Sequence, residues 1–409
     1  GPPRNPYAYG EFGPLFSTDT IVRFTHFGAF GNGTALPAGS AGRLFALDPL
    51  HNLVTNTQLV PRGPSFETRD GEPALRSDDV ACRPVFITAA PDGSLCIADM
   101  YEYYIAHGQH YQNQIDPTTG RIYRLRGRDA KLETDTDLSG KTPAELVALL
   151  SHPNVWHRRT AVRLLGERKD PGIGTQLRKL VGSDDAVAAL HALWALHQAE
   201  GLDEATAVAA LASPHPAVRS WTVRLLGDEW GIHRNLGVGR HAAAQGRSPV
   251  GLLPPRLFAA VLDRAKTDDD IEVLCQIAAS ARRLDPPQAF PLVIALLERD
   301  RVAADEWVPQ MCWWVFEANI PGADEAIIEL FQRPESWRST AVRGHILPRI
   351  VRRYAVEGKQ QGLLLCAKLF RAAPSPDQTR PLMEGFEEAF RGRPMAGLPA
   401  ELVAAIEAA

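Results

Sequence analysis

Hydrophobic and polar positions follow two different patterns along this 409-residue chain. Up to about residue 130, apolar residues occur in short runs between loops rich in Gly and Pro, a pattern that predicts β-strands. The runs cover residues 20–24, 43–47, 53–59, 85–88, 95–98 and 121–125. Beyond about residue 142, apolar residues recur with a helical period. The sequence therefore predicts a β part followed by an α part.

The β part contains a tight turn, Pro91-Asp92-Gly93, between two of the predicted strands. Asp-Gly supplies the backbone angles that a hairpin turn requires, so we expect a hairpin here. Several short antiparallel strands are typical of a sandwich or a propeller, and a propeller has about 40 to 45 residues per blade. Residues 1–130 then form the C-terminal part of a β-propeller that is incomplete, and we expect earlier blades upstream of Gly1.

A polar linker over residues 131–141 leads into a helix start at Thr142. Thr142 can cap the first free amides, Pro143 has the backbone angle of a first-turn residue, and Glu145 can bond back to the cap. The α-helical region is expected to cover residues 142–409.

Internal repetition sets the period of this helical region. Residues 158–167 recur 61 positions later as residues 219–228, and both copies contain Val-Arg-Leu-Leu-Gly. A shorter echo, Thr340 to Arg343, copies Thr160 to Arg163. Units of about 30 residues with two helices each predict a HEAT-like α-solenoid. The expected fold class is thus β + α multidomain, with propeller blades followed by an α-α superhelix.

Three further segments of the helical region carry local predictions. Residues 231–256 interrupt the repeat and are interpreted as an inserted, solvated loop, although its arginines could also recognise an anion or a domain. Asp268-Asp269-Asp270 favours a helix cap over a calcium site. The segment around Trp313 and Trp314 is interpreted as a buried helix.

Composition and charge exclude several classes of protein. The chain has 44 basic and 48 acidic side chains, so no nucleic-acid footprint stands out, and no apolar stretch is long enough to span a membrane. The five cysteines show no C-x-x-C or C-x-x-C-H pattern. We therefore predict free, buried thiols, no metal site and no c-type haem on this segment.

Three stretches, residues 42–54, 79–101 and 120–124, carry a resemblance to a known family. They are similar to the exported proteins of planctomycetes labelled membrane-bound dehydrogenase-like, which combine a propeller, HEAT repeats and commonly a c-type haem domain. The resemblance implies an exported or periplasmic, quinoprotein-type sugar or alcohol dehydrogenase when the protein is full length. It also implies pyrroloquinoline quinone with calcium as cofactor, and an inactive segment when these residues are alone.

The same resemblance suggests site residues. In quinoprotein dehydrogenases, an Arg-x-Arg pair before a hairpin holds the cofactor's carboxylates, and the matching positions here are Ala81 and Arg83. Arg83 is therefore a cofactor-binding candidate, although it could instead anchor a blade through Asp78 or Asp79. The catalytic base of such enzymes would lie upstream of Gly1, so the catalytic residues of this chain are unknown.

The loop after the predicted hairpin adds candidates for a substrate or loop site, because propeller loops often carry sites. They are Asp99, Tyr101, His107 and His110. Two functions follow from the sequence. One is the sugar or alcohol dehydrogenase, with a haem domain as a partner of the solenoid. The alternative is a non-catalytic scaffold in which propeller and solenoid bind a protein or polysaccharide.

Overall fold

The computed structural model describes residues 6–10, 27–103, 118–230, 251–320, 322–392 and 394–408. The chain divides into two compact units. The mixed unit is Pro14–Leu202, and the helical unit combines Gly1–Gly13 with Asp203–Ala409. The change from strand to helix near Thr142 lies inside the mixed unit.

Two antiparallel sheets make up the β part of the mixed unit. One has the strand order β5-β4-β2-β3-β6 with β1 also paired to β2, and the other has the order β7-β8-β9. The strands are β1 Gly28–Phe30, β2 Leu44–Asp48, β3 Leu53–Val54, β4 Thr57–Arg62, β5 Ser65–Asp70, β6 Leu75–Arg76, β7 Pro84–Ala89, β8 Leu95–Asp99 and β9 Arg121–Leu125. Neither sheet closes on itself within the described ranges. A propeller is therefore not shown and stays a prediction, while the mixed β and α architecture is confirmed.

Both sheets contribute to one apolar core. Its buried members are Phe45, Leu47, Val54, Ile87, Leu95 and Ile97. The predicted strand at residues 53–59 is divided into β3 and β4, because Thr55 turns to bond with Ala46 of β2 through both its amide and its hydroxyl. The predicted strand at residues 20–24 lies outside the described residues.

The predicted hairpin turn joins β7 to β8 and is confirmed. The Asp92 carboxylate accepts from the amide and the hydroxyl of Ser94, at 3.0 and 2.6 Å. Gly93 has φ of 88°, and a Cβ there would lie 2.3 Å from Thr34 Oγ1. Glycine is thus required both by the backbone angle and by the loop that packs on this turn.

Four α-helices complete the mixed unit: α1 Pro143–Ala148, α2 Val155–Arg168, α3 Ile173–Val181 and α4 Ala186–Ala199. The capping box of Thr142 and Glu145 is present at the start of α1, as predicted. Helix α2 begins after Asn154, whose side chain accepts from Trp156 N and donates to Pro91 O at 3.0 Å. The start of α2 is therefore fixed against the β7–β8 turn.

The helical unit contains twelve α-helices within the described ranges. They are α5 Glu204–Leu211, α6 Pro216–Trp230, α7 Pro255–Thr267, α8 Ile271–Ala281, α9 Pro286–Leu297, α10 Asp300–Ala303, α11 Val308–Asn319, α12 Asp324–Phe331, α13 Leu347–Ala355, α14 Gln360–Ala372, α15 Arg380–Phe390 and α16 Ala400–Glu407. Helix α6 packs on α8, α13 on α15, and α14 on α16. None of the helices in the described ranges is long and apolar enough to cross a membrane.

An arginine holds the same place in three helical repeats. Arg158, Arg219 and Arg343 each donate from Nη1 to the carbonyl oxygens five and six residues earlier. The sequence echo aligned Arg343 with Arg163 instead. That alignment is wrong by five residues, because a short Thr-Ala-Val-Arg match does not distinguish successive helical turns.

The remaining local predictions have three outcomes. Most of the inserted loop, residues 231–250, lies outside the described residues, and Arg256 pairs with Glu204 at 3.3 Å. Asp270 caps α8 by accepting from two backbone amides, which confirms the predicted cap. All five cysteines are free, and Cys82, Cys312 and Cys366 are buried, whereas Cys96 and Cys275 are partly exposed.

Candidate functional site

Arg83, the predicted cofactor ligand, is surrounded by loop acceptors. Its Nε donates to Glu102 O at 2.8 Å and its Nη2 to Tyr103 O at 3.0 Å. Its Nη1 donates to Pro49 O at 2.8 Å and to Asn52 Oδ1 at 2.9 Å. The guanidinium thus joins the loop after β2 to the loop after β8. A carboxylate ligand would have to displace these acceptors, and the cofactor role stays a prediction.

Asp99 and Tyr101 adjoin Arg83 and are also held by protein groups. The buried Asp99 carboxylate accepts from the amides of Arg83 and Tyr101, at 2.6 and 2.9 Å, and from Tyr123 Oη at 3.2 Å. The Tyr101 ring lies under the Arg121 guanidinium, 3.8 Å from its carbon. These contacts position the loop after β8 against β9 and the start of β7.

The remaining candidates and the alternative anchor of Arg83 have separate outcomes. His107 and His110 lie outside the described residues. The alternative anchor, Asp79, accepts from the amide of Ala81 and lies 3.9 Å from Arg121. The anchoring bonds of Arg83 go to loop carbonyls and Asn52. The structure therefore brings Arg83, Asp99 and Tyr101 together and leaves their substrate role a prediction.

A second candidate site lies in the helical unit, where residues 6–10 run along α11 and α13. Trp313 Nε1 donates to Tyr7 O at 3.1 Å, and Trp314 Nε1 donates to Ala8 O at 3.1 Å. Gln310 Nε2 donates to the same Ala8 oxygen at 2.7 Å. Three side chains of one helix therefore hold the backbone of this short segment.

Two arginines of α13 face the rings of that segment. The Arg353 guanidinium carbon lies 3.6 Å from the centroid of the Tyr7 ring, and that of Arg352 lies 4.2 Å from the Tyr9 ring. Tyr9 also stacks on Trp313, with centroids 5.7 Å apart and planes at 18°. A cation over an aromatic face is attracted by the ring's quadrupole. We call Gln310, Trp313, Trp314, Arg352 and Arg353 the aromatic clamp.

Helical spacing explains why α11 presents these groups together. Asp305 accepts from the amides of Trp307 and Val308, both at 2.8 Å, and so fixes the start of α11. Positions 310, 313 and 314 follow the i, i+3, i+4 rule and lie on one side of the helix. Trp313 is fully buried, which confirms the predicted buried helix at this position.

The phenol of Tyr9 enters a cavity of about 530 Å³ between α13 and α15, lined chiefly by charged side chains of both helices. Its hydroxyl is buried and has no hydrogen-bond partner among the described residues. Burial raises the pKa of Tyr9 to about 12, so the phenol stays neutral at physiological pH.

Tyr7 is fixed by an acid that is itself paired. Its hydroxyl donates to Glu357 Oε1 at 3.3 Å. Lys359 and Arg353 lie 2.8 and 2.7 Å from the Glu357 carboxylate, and they lower its pKa to about 2. Glu357 therefore remains an anion across the physiological range and can always accept this bond.

The sequence pattern predicted a buried helix around Trp313 and Trp314 and did not predict the clamp. Adjacent helical residues point about 100° apart, so two neighbouring tryptophans cover a wider face than one buried stripe needs. The pair Arg352-Arg353 follows the same rule. Adjacent large residues on a helix were thus the available signal that one side of α11 serves another partner.

Two family models match parts of the chain. A domain of unknown function, DUF7133, matches residues 18–129, and HEAT repeats match residues 143–227. No curated protein matches the chain. A solved structure titled as an engineered protein is 16% identical and covers 62% of this chain and 100% of its own, with a TM-score of 0.20. The HEAT-repeat prediction is therefore confirmed over residues 143–227, and neither family match concerns a dehydrogenase or a quinoprotein.

Proposed function

We propose that the chain is a HEAT-repeat scaffold whose aromatic clamp binds a short peptide segment with two aromatic side chains. The occupant in the structure is the chain's own segment, residues 6–10. The observation that carries the proposal is the triple contact from Gln310, Trp313 and Trp314 to the carbonyl oxygens of Tyr7 and Ala8. HEAT repeats are typically elements of protein interaction, which agrees with this role.

Bonds to backbone carbonyls give the clamp its affinity for a peptide segment. Each hydrogen bond is worth about 1 kcal/mol net, and a buried donor that loses its acceptor costs about 1 to 3 kcal/mol. The Trp313 side chain is fully buried, and its indole N–H is directed at Tyr7 O. An empty clamp would leave that donor without this acceptor, so occupancy by a peptide is favoured.

Ring and turn contacts give the clamp its selectivity. The arginines over Tyr7 and Tyr9 favour aromatic residues two positions apart. Tyr9 has φ of 47°, which turns the segment after its ring. A Cβ on Gly10 would lie 2.8 Å from the Gln310 side chain, so a small residue fits best there. The preferred segment is therefore of the form Tyr-x-Tyr-Gly.

The oxidoreductase hypothesis depends on the family resemblance for the full-length protein. It would need pyrroloquinoline quinone with calcium, and Arg83 as its ligand would have to exchange five loop contacts, the bond from Nη1 to Leu50 O among them. A polysaccharide partner likewise has no specific contact that favours it among the described residues. The peptide-binding scaffold is the function that the described contacts support best.

The test weakens the contacts of the chain's own segment with the clamp and then adds that segment as a separate peptide. The double variant Tyr7→Ala/Tyr9→Ala removes both rings, and a fluorescently labelled peptide of residues 5–11 is titrated by anisotropy. We expect saturable binding to the double variant and much weaker binding to the wild type, because the wild-type clamp is already occupied.

Two controls define the outcome. Tyr103→Ala removes an exposed tyrosine of the mixed unit and should leave the clamp occupied. Trp314→Phe, added to the double variant, removes one donor and should weaken peptide binding about fivefold, the equivalent of one hydrogen bond of about 1 kcal/mol. A folded double variant that binds no peptide, or binds a scrambled peptide equally well, contradicts the proposal.

A further inference from the structure

Three polar side chains of the mixed unit converge where the linker passes the start of α2. Glu133 lies in the linker, His152 precedes α2, and His157 lies in its first turn. The Glu133 amide donates to Asp92 O at 3.1 Å, and Thr34 Oγ1 donates to Glu133 Oε1. The β7–β8 turn and its neighbouring loop therefore fix this carboxylate independently of the histidines.

The protonation of His157 follows from its partners. Its Nε2 lies 3.0 Å from Asp135 O, a carbonyl that can only accept, so Nε2 carries the proton of the neutral ring. Nδ1 then presents a lone pair, and this atom is 3.3 Å from Glu133 Oε2. His157 is 3% exposed, and Nδ1 has no hydrogen-bond partner among the described residues. Two acceptors thus face each other in a buried place.

A cation between the two acceptors removes this conflict. His152 Nε2 lies 3.7 Å from the same Glu133 oxygen, and one ligand atom from each of the three residues lies within 4.8 Å of the others. Zinc bonds of about 2.0 to 2.2 Å at tetrahedral angles place neighbouring ligand atoms about 3.3 Å apart. The two separations to Glu133 Oε2, 3.3 and 3.7 Å, are near that value, so a metal ion fits the convergence point.

We propose that Glu133, His152 and His157 form a binding site for a divalent transition metal ion of the zinc type. Two imidazoles and one carboxylate are ligands that zinc prefers. The side chains of Glu133 and His152 are partly exposed, at 22% and 26%, so the fourth position is open to water. Asp135 O orients His157 through the other ring nitrogen, as outer partners of metal ligands commonly do.

His152 is the ligand that must adjust. Its Nδ1 accepts from Asn154 N at 3.1 Å, so without a metal its proton lies on Nε2, toward Glu133. Binding at Nε2 requires the other tautomer and costs this one hydrogen bond, a small loss beside a metal–ligand bond. His157 and Glu133 need no such change and are therefore the stronger ligands.

The test is a zinc titration of the full chain by isothermal calorimetry, with cobalt absorption spectra as a second readout. We expect one zinc ion per chain and the intense visible bands of four-coordinate cobalt. His157→Gln and Glu133→Gln should each weaken binding by about 100-fold or more, because outer partners alone contribute about 10- to 100-fold. His152→Asn should weaken binding less.

The controls distinguish the loss of a metal ligand from the loss of the folded structure. His191→Gln replaces another buried histidine of the mixed unit and should leave zinc binding unchanged. Circular dichroism confirms that each variant is folded, and Glu133→Gln can still accept the bond from Thr34. A folded wild type that binds no zinc overturns the proposal and leaves a proton between Glu133 and His157. Binding that survives in both ligand variants overturns it as well.

Discussion

Residues 158–167 and 219–228, the two copies of the repeat motif, are identical at six of ten positions and have different surroundings. In α2 of the mixed unit and in α6 of the helical unit, Arg158 and Arg219 make the same bonds to preceding carbonyls. Beyond these bonds the copies diverge. The Nε of Arg158 lies 3.4 Å from His191 Nε2, whereas Nε and Nη2 of Arg219 bind both oxygens of Asp268, at 2.6 and 2.8 Å.

This difference shifts the pKa values of the two arginines in opposite directions. Burial, with the nearby Arg159, lowers the pKa of Arg158, whereas the bond to Asp268 raises the pKa of Arg219. Burial opposes ionisation of Asp268, but the bonds from Arg219 outweigh it, so the pKa of Asp268 is lowered. The repeat motif thus fixes the local cap of its helix, and the neighbouring element decides the charge environment.

The largest expected difference between the copies is in the free energy of unfolding after Arg→Met. Arg219→Met leaves the fully buried Asp268 carboxylate without its partner and should cost about 3 kcal/mol. Arg158→Met loses two bonds to carbonyls and the long contact to His191, leaves no buried charge unpaired, and should cost about 1 kcal/mol. Urea unfolding followed by circular dichroism measures both free energies of unfolding. Equal losses in the two variants would contradict the different roles of Arg158 and Arg219.

The Arg219–Asp268 pair also predicts a pH dependence. Because the folded-state pKa of Asp268 is lowered, the pair's contribution is fully present above the unfolded value of about 4 and is lost as the pH falls below it. The stability gap between the wild type and Arg219→Met should therefore narrow below about pH 4. A gap that is constant with pH would contradict a charge-based role.

Both copies of the repeat contain a glycine at the same position, and replacing it by alanine should lower the stability equally in the two copies. A Cβ on Gly166 would lie 2.7 Å from Gln198 Cβ, and one on Gly227 would lie 2.9 Å from Ser280 Cβ. Each Gly→Ala change should cost about 2 kcal/mol from overpacking, in spite of the higher helix propensity of alanine. Gly344→Ala is the control, since a Cβ there meets no described atom within 4 Å. Thermal unfolding measures the three variants, and a stabilised Gly166→Ala would contradict the close contact.

A smaller difference between the two copies is expected in how stability depends on pH in mild acid. Burial lowers the pKa of His191, which donates from Nδ1 to Val187 O at 2.7 Å and stays neutral beside Arg158. The unfolded chain then takes up a proton first as the pH falls, so stability contributed by neutral His191 is lost below about pH 6.5. Urea midpoints of His191→Gln should fall less between about pH 7.5 and 5.5 than those of the wild type. Parallel curves would show that His191 does not titrate in this way.

The smallest effect belongs to the exposed ion pairs of the repeat. Arg163 lies 2.8 Å from Glu167, and Arg224 lies 3.8 Å from Asp228, each one helical turn apart. Such pairs contribute about 0.3 to 0.5 kcal/mol, so Arg163→Ala and Arg224→Ala should each change stability by no more than about 0.5 kcal/mol. A loss of about 2 kcal/mol in either variant would contradict the assignment of these pairs as surface contacts.

Local features were predictable because their partners are a few residues apart. The capping box at Thr142, the Asp92-Gly93 turn and the cap at Asp270 all use bonds within three residues, so the sequence contains both partners side by side. The 61-residue period was visible for the same reason: each repeat needs the same apolar face and the same arginine cap. These features determined the helical half of the fold and the β7–β8 hairpin.

Tertiary structure alone decided the candidate sites. Tyr7 and Trp313 are 306 positions apart, Glu133 and His157 come from a linker and a helix, and the partners of Arg83 lie on two loops. No periodicity encodes such pairs, because they depend on which surfaces bury each other and leave donors facing acceptors. The sequence thus determined which elements form, and packing between distant elements determined where a peptide or a metal ion can bind.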